Sequence, residues 1–242
     1  MKITYLGHSG FCAELSDCVL VFDYAKGELP EWPASKAILV FVSHAHQDHF
    51  NWKILKLGDG YSRTHFFLGN DIRLGENWLR SKGLPPSVKE RVTKLAGGRS
   101  AEYEDGDVRA RVHALTSTDS GVAFVVEAEG KRIYHAGDLN WWHREGEPAE
   151  ENAWMAEHYK KEIDRLTGQH FDAAFVPLDP RLGDQFGYGM DYFLEKTDAD
   201  AVFPMHLWED YAAVDRYLKT PVGRGYEDRI RRPERGGQVW NI

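Results

Sequence analysis

The chain has 242 residues, 42% of them hydrophobic and 28% charged, an ordinary globular composition within the ~250–300 residues that one core can serve. A formal charge of −8 argues against a non-specific nucleic-acid binder, which needs clustered Lys and Arg to neutralise phosphates. No stretch nears the ~20 apolar residues of a membrane span and no signal peptide is visible, so one cytoplasmic domain over residues 1–242 is expected, without membrane or nucleic-acid partners.

Short strands are expected over residues 3–6, 11–15 and 19–23, with Gly7 to Gly10 as a turn or bulge. Residues 38–43, apolar up to Ser43, read as a strand covered on both faces. Residues 50–57 read as a short helix, 64–68 as a strand and 71–82 as a helix ended by Gly83, and Pro85-Pro86 opens another helix to about Leu95. Strands return at 101–103 and 108–115, then a hairpin at 122–128 and 132–136 turns on Glu129-Gly130. Residues 148–167 form the longest helical pattern, with Trp154, Tyr159, Ile163 and Leu166 on one side. A strand at 171–178, a helix at 188–197, a strand at 201–206 and a helix at 210–219 follow, and residues 238–242 offer a last strand. Cys12 and Cys18 flank a turn at Ser16 and Asp17, so a cross-strand bridge is open, but a reducing compartment favours two buried thiols. Two runs of strands, each closed by alternating helix and strand, describe an internally duplicated α/β sandwich.

Directly behind the apolar run 37–42 stands His44-Ala45-His46-Gln47-Asp48-His49, three imidazoles and a carboxylate in six positions. Donors of this kind suit zinc, iron or manganese. In an extended loop residues two apart point the same way, so His44 and His46 can share one metal, and the following turn redirects Asp48 and His49. Three later segments put a potential partner at a strand end: Tyr134-His135-Ala136-Gly137-Asp138, Pro204-Met205-His206, and the polar turn 115–121.

With these segments in order, and with the opening YLGHSGF and the HAGDLNWW run, the sequence resembles the compact branch of the metallo-β-lactamase superfamily of metal-dependent hydrolases. The resemblance implies a four-layer αββα sandwich with two divalent metal ions on one edge, zinc first and manganese or iron as alternatives. It gives His44 and His46 to the first metal, Asp48, His49 and His206 to the second, and Asp138 to both. A carboxylate bridge tolerates metals ~3.5–4 Å apart, and such a pair activates a water, with Asp48 orienting or deprotonating it. The family usually supplies a third histidine to the first metal from the turn near residue 117. Here Ser117 stands in that place, with Asp119 the nearest strong donor; Asp119, or a water held by Ser117, would complete a weakly occupied first site.

His8 sits at the first turn, at a family position near the metals, where contact to ligands or substrate, packing and direct ligation are all open. Asp23 either hydrogen-bonds a metal-binding imidazole from behind or caps its strand. His135 reads as core or as support for the ligands. Tryptophans follow each metal segment, and Trp141 is the residue chosen for a pocket wall. Arg181 could reach an anion, but Asp179 and Asp184 offer it a salt bridge. The expected function is hydrolysis of a small, anionic ester, lactone, amide or phosphodiester. A metal-bound ligand sensor or scaffold is the alternative, and a di-iron oxidoreductase is disfavoured by Gln47, where such relatives carry glutamate, and by the lack of a flavin module.

Overall fold

Alternation along the strands divides the apolar residues between two packing layers. In residues 18–22, Leu20 and Phe22 join a cluster of 51 buried residues, whereas Val19 and Val21 point to the other face and join a cluster of 16. The computed structural model describes residues 1–242, and it resolves this pattern into two stacked sheets.

The first sheet contains β1 (Lys2–Gly7), β2 (Gly10–Glu14), β3 (Cys18–Phe22), β4 (Ala37–Val42), β5 (Thr64–Gly69) and β6 (Val92–Leu95) in that spatial order. The second contains β7 (Ser100–Asp105), β8 (Val108–Thr116), β9 (Val122–Ala128), β10 (Lys131–His135), β12 (Ala173–Pro177) and β14 (Val202–Met205). A two-stranded ribbon pairs β11 (His170–Phe171) with β13 (Asp198–Ala199), and β15 (Val239–Asn241) returns to the β1 edge. The sheets meet through aromatic rings: Phe11 stacks on Phe175 with centroids 4.3 Å apart, and Phe41 meets Phe124 edge-on at 5.5 Å. Burying each such ring contributes about 1.5–3 kcal/mol.

Helices cover the outer faces. Ile54, Leu55, Leu79 and Leu84, around α1 (Leu57–Gly60) and α2 (Glu76–Ser81), pack on the first sheet. On the second sheet, α3 (Ala149–Asp164) and α4 (Tyr188–Lys196) contribute Tyr159, Ile163 and Phe193, the last stacked on Tyr134 at 4.9 Å. The short α5 (Ala212–Tyr217) and α6 (Pro221–Gly225) complete this α/β sandwich, and no helix is long and apolar enough to cross a membrane.

Local patterns mislead at four places. The helix expected from residue 71 begins only at Glu76, because the Asp71 carboxylate is drawn to the Ala45 N–H at 2.8 Å. Pro85-Pro86 opens only a short 3-10 helix, Pro86–Arg91, after which β-branched Val92 and Thr93 extend as β6 beside β5. Trp154 is 49% exposed and stacks on His158 four residues along rather than on the core. The strand expected over 171–178 breaks at Asp172, whose carboxylate binds Lys131 and the Arg132 N–H. Both thiols are buried and free, Cys12 in the smaller cluster and Cys18 in the larger, so they face opposite sides of the sheet and cannot be bridged.

Candidate metal centre

Parallel pairing brings distant strand ends to one edge. β3, β4 and β5 run parallel, as do β10, β12 and β14, so the residues after Phe22, Val42, His135, Pro177 and Met205 emerge together. Those residues include Asp23, the histidine run, Asp138, Asp179 and His206, while His8 enters from the β1–β2 turn. The edge is conformationally strained: five of the six non-glycine residues with positive φ lie here, namely His8, Asp23, His206, Trp208 and Glu209. Two glycines set the position of His44. A Cβ on Gly121 would collide with Ser43 O and His44 Cβ, and one on Gly137 would lie 2.6 Å from Ser43 Cβ.

Asp138 lies at the middle of the set. Its Oδ2 is 3.3 Å from His44 Nε2, and its Oδ1 is 3.1 Å from His49 Nε2 and 3.3 Å from His206 Nε2. His46 is exposed, with Nδ1 3.0 Å from His44 Nε2. Asp48 Oδ2 lies 3.3 Å from His8 Nε2 and 3.9 Å from His49 Nε2. Two groups of mutually close donors result: His8, Asp48, His49 and His206, and separately His44, His49 and Asp138.

The opposite ring nitrogens are tied down. His49 Nδ1 donates to Asp23 at 2.7 Å, and His206 Nδ1 donates to Asp179 at 2.8 Å. The Ser43 hydroxyl gives its one proton to Asp23 at 2.7 Å, so it accepts from His44 Nδ1 at 2.9 Å. Each Nε2 therefore faces the common centre, where a cation could displace its proton and take the lone pair, the arrangement by which carboxylates orient metal-binding imidazoles. Four buried atoms there lack any hydrogen-bond partner: His8 Nε2, His49 Nε2, His206 Nε2 and Asp138 Oδ1. Zinc ligands ~2.0–2.1 Å from a tetrahedral ion stand about 3.3–3.4 Å apart. The 3.1–3.3 Å separations around Asp138 and the 3.3 Å between His8 and Asp48 fit that spacing.

Electrostatics agree. Burial opposes a positive charge on His49, yet Asp23 and Asp138 outweigh it and push its pKa up to about 10. His206 is raised against burial by Asp138 and Asp179. Burial would lift Asp138, but His206 and His49 hold it far below the usual carboxylate range, and His8 does the same for Asp48. His8 and His44 themselves are lowered, chiefly by burial. A pocket that favours positive charge in spite of burial suits a cation.

Other sequence candidates fall in different places. Asp119 is exposed and, like Ser117, belongs to neither donor group. The buried side chain of their turn is Thr118, whose hydroxyl is tied to Asn140 O at 2.6 Å, which leaves Asp119 pointing outward. Trp141 packs against Tyr188 and beneath Lys160, away from the donors. Its neighbour Trp142 turns inward instead, donating to Asp138 O at 2.9 Å with its ring 5.5 Å from His206. Trp208 meets His8 edge-on at 4.5 Å, whereas Trp52 lies beside Lys56 and Lys82. Asp23 takes both of its expected roles, binding His49 and capping the Ser43 N–H at 2.7 Å. His135 is buried against Phe22, donates to Ser9 O and accepts from the Gly137 N–H. Arg181 makes its salt bridge with Asp179 through Nε and NH2. The sequence reading missed Asp179 as the partner of His206; its place at a strand end, like Asp23, was the available signal.

A family model described as the Beta-lactamase superfamily domain matches residues 2–152. The chain belongs to the metallo-β-lactamase superfamily. This superfamily member is 27% identical over 232 residues to a UPF0173 metal-dependent hydrolase of Opitutus terrae, covering 91% of this chain and 86% of that protein. It is also 27% identical over 240 residues to a UPF0173 metal-dependent hydrolase of Korarchaeum cryptofilum, covering 96% and 89%. Among solved structures, Igni18, a metallo hydrolase from Ignicoccus hospitalis, superposes with a TM-score of 0.58 at 19% identity, covering 100% of this chain and 98% of that one. The metallo-β-lactamase fold protein YhfI from Bacillus subtilis superposes with a TM-score of 0.57 at 13% identity, covering 99% of this chain and 98% of that one, and these likenesses show the fold alone.

Proposed function

We propose that this protein is a metal-dependent hydrolase of a small, anionic ester, lactone, amide or phosphodiester. The observation that carries the reading is the convergence of the buried, unpartnered Nε2 atoms of His49 and His206 on the Asp138 carboxylate. In this reading His44, His46 and Asp138 hold one divalent ion, and Asp48, His49 and His206 hold a second, with Asp138 able to serve both. Zinc suits these donors first. Such ions lower the pKa of water and polarise the bond to be cleaved.

The protein's own groups supply the rest. Asp23, Ser43 and Asp179 fix the tautomers of His49, His44 and His206, so each ring faces the centre without reorganisation. Asp48, half-buried and kept ionised beside His8, would orient the attacking water, while its depressed pKa makes it a weak acceptor of that water's proton. A cleft of about 340 Å³ lined by His8, Lys26, Gln47, Asp48, Trp208 and Glu209 leads to Asp48, a size that suits a small molecule. Lys26 in the cleft lining pairs with Glu209 at 2.6 Å, and Arg181, stacked over the Trp208 indole at 4.2 Å, pairs with Asp179, so the preference for an anionic substrate would rest on the metal ions rather than on a free cation.

The outward-pointing Asp119 supports a second reading, a metal-bound ligand sensor without turnover. A panel of model esters, lactones and phosphodiesters, offered to zinc-, manganese- and iron-loaded protein, separates the two. Hydrolysis that disappears in folded His49→Ala and Asp138→Ala supports the enzyme. Tight ligand binding with no turnover of any panel member supports the sensor.

A further inference from the structure

We infer that His8 is itself a metal ligand, giving its Nε2 to the same cation as Asp48, His49 and His206. This inference rests on the metal-dependent reading above and deepens it. The His8 ring is buried, 4.2 Å from the His206 ring and edge-on to His49 at 5.6 Å. Its carbonyl accepts from the His206 N–H at 3.3 Å, so the two segments are fixed to each other. The backbone holds His8 at φ 54, directly after Gly7 at φ 125, a conformation that turns the ring toward the centre.

Packing alone does not explain the chemistry of this ring. A histidine kept only for its shape would have its inner nitrogen hydrogen-bonded, because a buried, unpartnered polar atom costs about 1–3 kcal/mol. His8 Nε2 is buried and unpartnered, and it stands 3.3 Å from Asp48 Oδ2. The donor atoms of His8, Asp48, His49 and His206 all lie within 4.8 Å of one another, whereas Asp138 groups with His44 and His49. With Asp138 Oδ1 also 3.1 Å from His49 Nε2 and 3.3 Å from His206 Nε2, His8 adds a further nitrogen donor to a side that would already be the better supplied of the two.

Two variants test the assignment on the full-length protein. His8→Phe keeps an aromatic ring against His206 and Trp208 but has no lone pair, and His8→Glu keeps a donor but has no ring. Zinc affinity is read by competition with a chromogenic chelator and bound metal by elemental analysis, with circular dichroism reporting the fold. Loss of a group that merely supports a ligand costs roughly 10–100-fold in affinity, so His8→Phe is expected to lose more than about 100-fold for the tightest ion, and His8→Glu roughly tenfold or less. Affinity in His8→Phe equal to wild type, or a greater loss in His8→Glu than in His8→Phe, overturns the assignment. Should His8→Phe fail to fold, the cobalt(II) form of His8→Glu decides: replacing nitrogen by oxygen shifts the visible band if residue 8 is a ligand, and an unchanged band overturns it. Wild-type protein that takes up no zinc, manganese or iron removes the metal-dependent reading as well; wild-type uptake with an indifferent His8→Phe removes the His8 assignment alone.

Discussion

Asp23 Oδ2 accepts a 2.7 Å hydrogen bond from His49 Nδ1, and both side chains are fully buried. The same carboxylate binds the Ser43 hydroxyl and N–H, so one residue fixes the ring of His49 and, through Ser43, that of His44. Asp23→Asn keeps the shape but replaces one oxygen by an NH2 that cannot accept. Metal affinity is expected to fall about 10–100-fold. Thermal stability of the metal-free protein should fall with it, because breaking buried hydrogen bonds to a charged group costs about 1.5–3 kcal/mol. Competition titration and calorimetry check the two effects, and wild-type values in both would show that Asp23 is only a strand cap.

Glycines separate backbone strain from lack of space. Gly121 has φ +68 and no room for a Cβ beside Ser43 and His44, whereas Gly130 has φ +73 with open space around it. Both alanine variants carry the left-handed penalty of about 1–2 kcal/mol. Gly121→Ala should also displace His44, for a total loss of roughly 3 kcal/mol or more and a weakened first site. Urea denaturation compares the two, and equal losses would show that the His44 segment yields freely to a methyl group.

Much of the edge was legible because its signals are local. The histidine run declares donors within six residues, and Asp138 and His206 each close a recognisable strand. Asp179 was not legible, because Arg181 two residues along already accounts for its charge. Its other partner, His206, becomes a neighbour only when β12 and β14 pair in register with Pro177 beside Met205. Trp141 and Trp142 were indistinguishable in sequence, and the bond from Trp142 Nε1 to Asp138 O decides which of them faces the donors. The residue 71–75 segment failed for the same kind of reason, since Asp71 is held by Ala45 across the fold.

Glu129 links the two sheets at the end away from the metal edge. Its carboxylate accepts from the N–H groups of Ser16, Asp17 and Cys18 at 2.8–2.9 Å. Burial would raise its pKa, but these donors outweigh burial and hold it below the ordinary value of 4.5. A depressed folded pKa means that the stabilisation is complete above pH 4.5 and is lost as pH falls through the lower folded value. Glu129 is exposed, so its contribution at pH 7 should be only about 1 kcal/mol after solvent screening. Glu129→Gln is expected to lower Tm at pH 7 and to narrow the gap to wild type below pH 4. A gap independent of pH would mean that packing of the turn, not the charge, holds the sheets together here.

The donor groups also predict how the proposed pair of ions leaves. One side gathers His8, Asp48, His49 and His206, while the other gathers His44, Asp138 and the shared His49, with His46 outside both groups at the exposed rim. An exposed ligand loses less on returning to water, so the His44 side should release its ion first. Titrating zinc-loaded protein with a chelator is expected to remove metal in two phases of unequal affinity. His44→Ala should abolish the weak phase and spare the strong one, whereas His206→Ala should weaken the strong phase. Simultaneous loss of both ions in wild type, or an intact weak phase in His44→Ala, would show that the two donor groups do not act as separate sites.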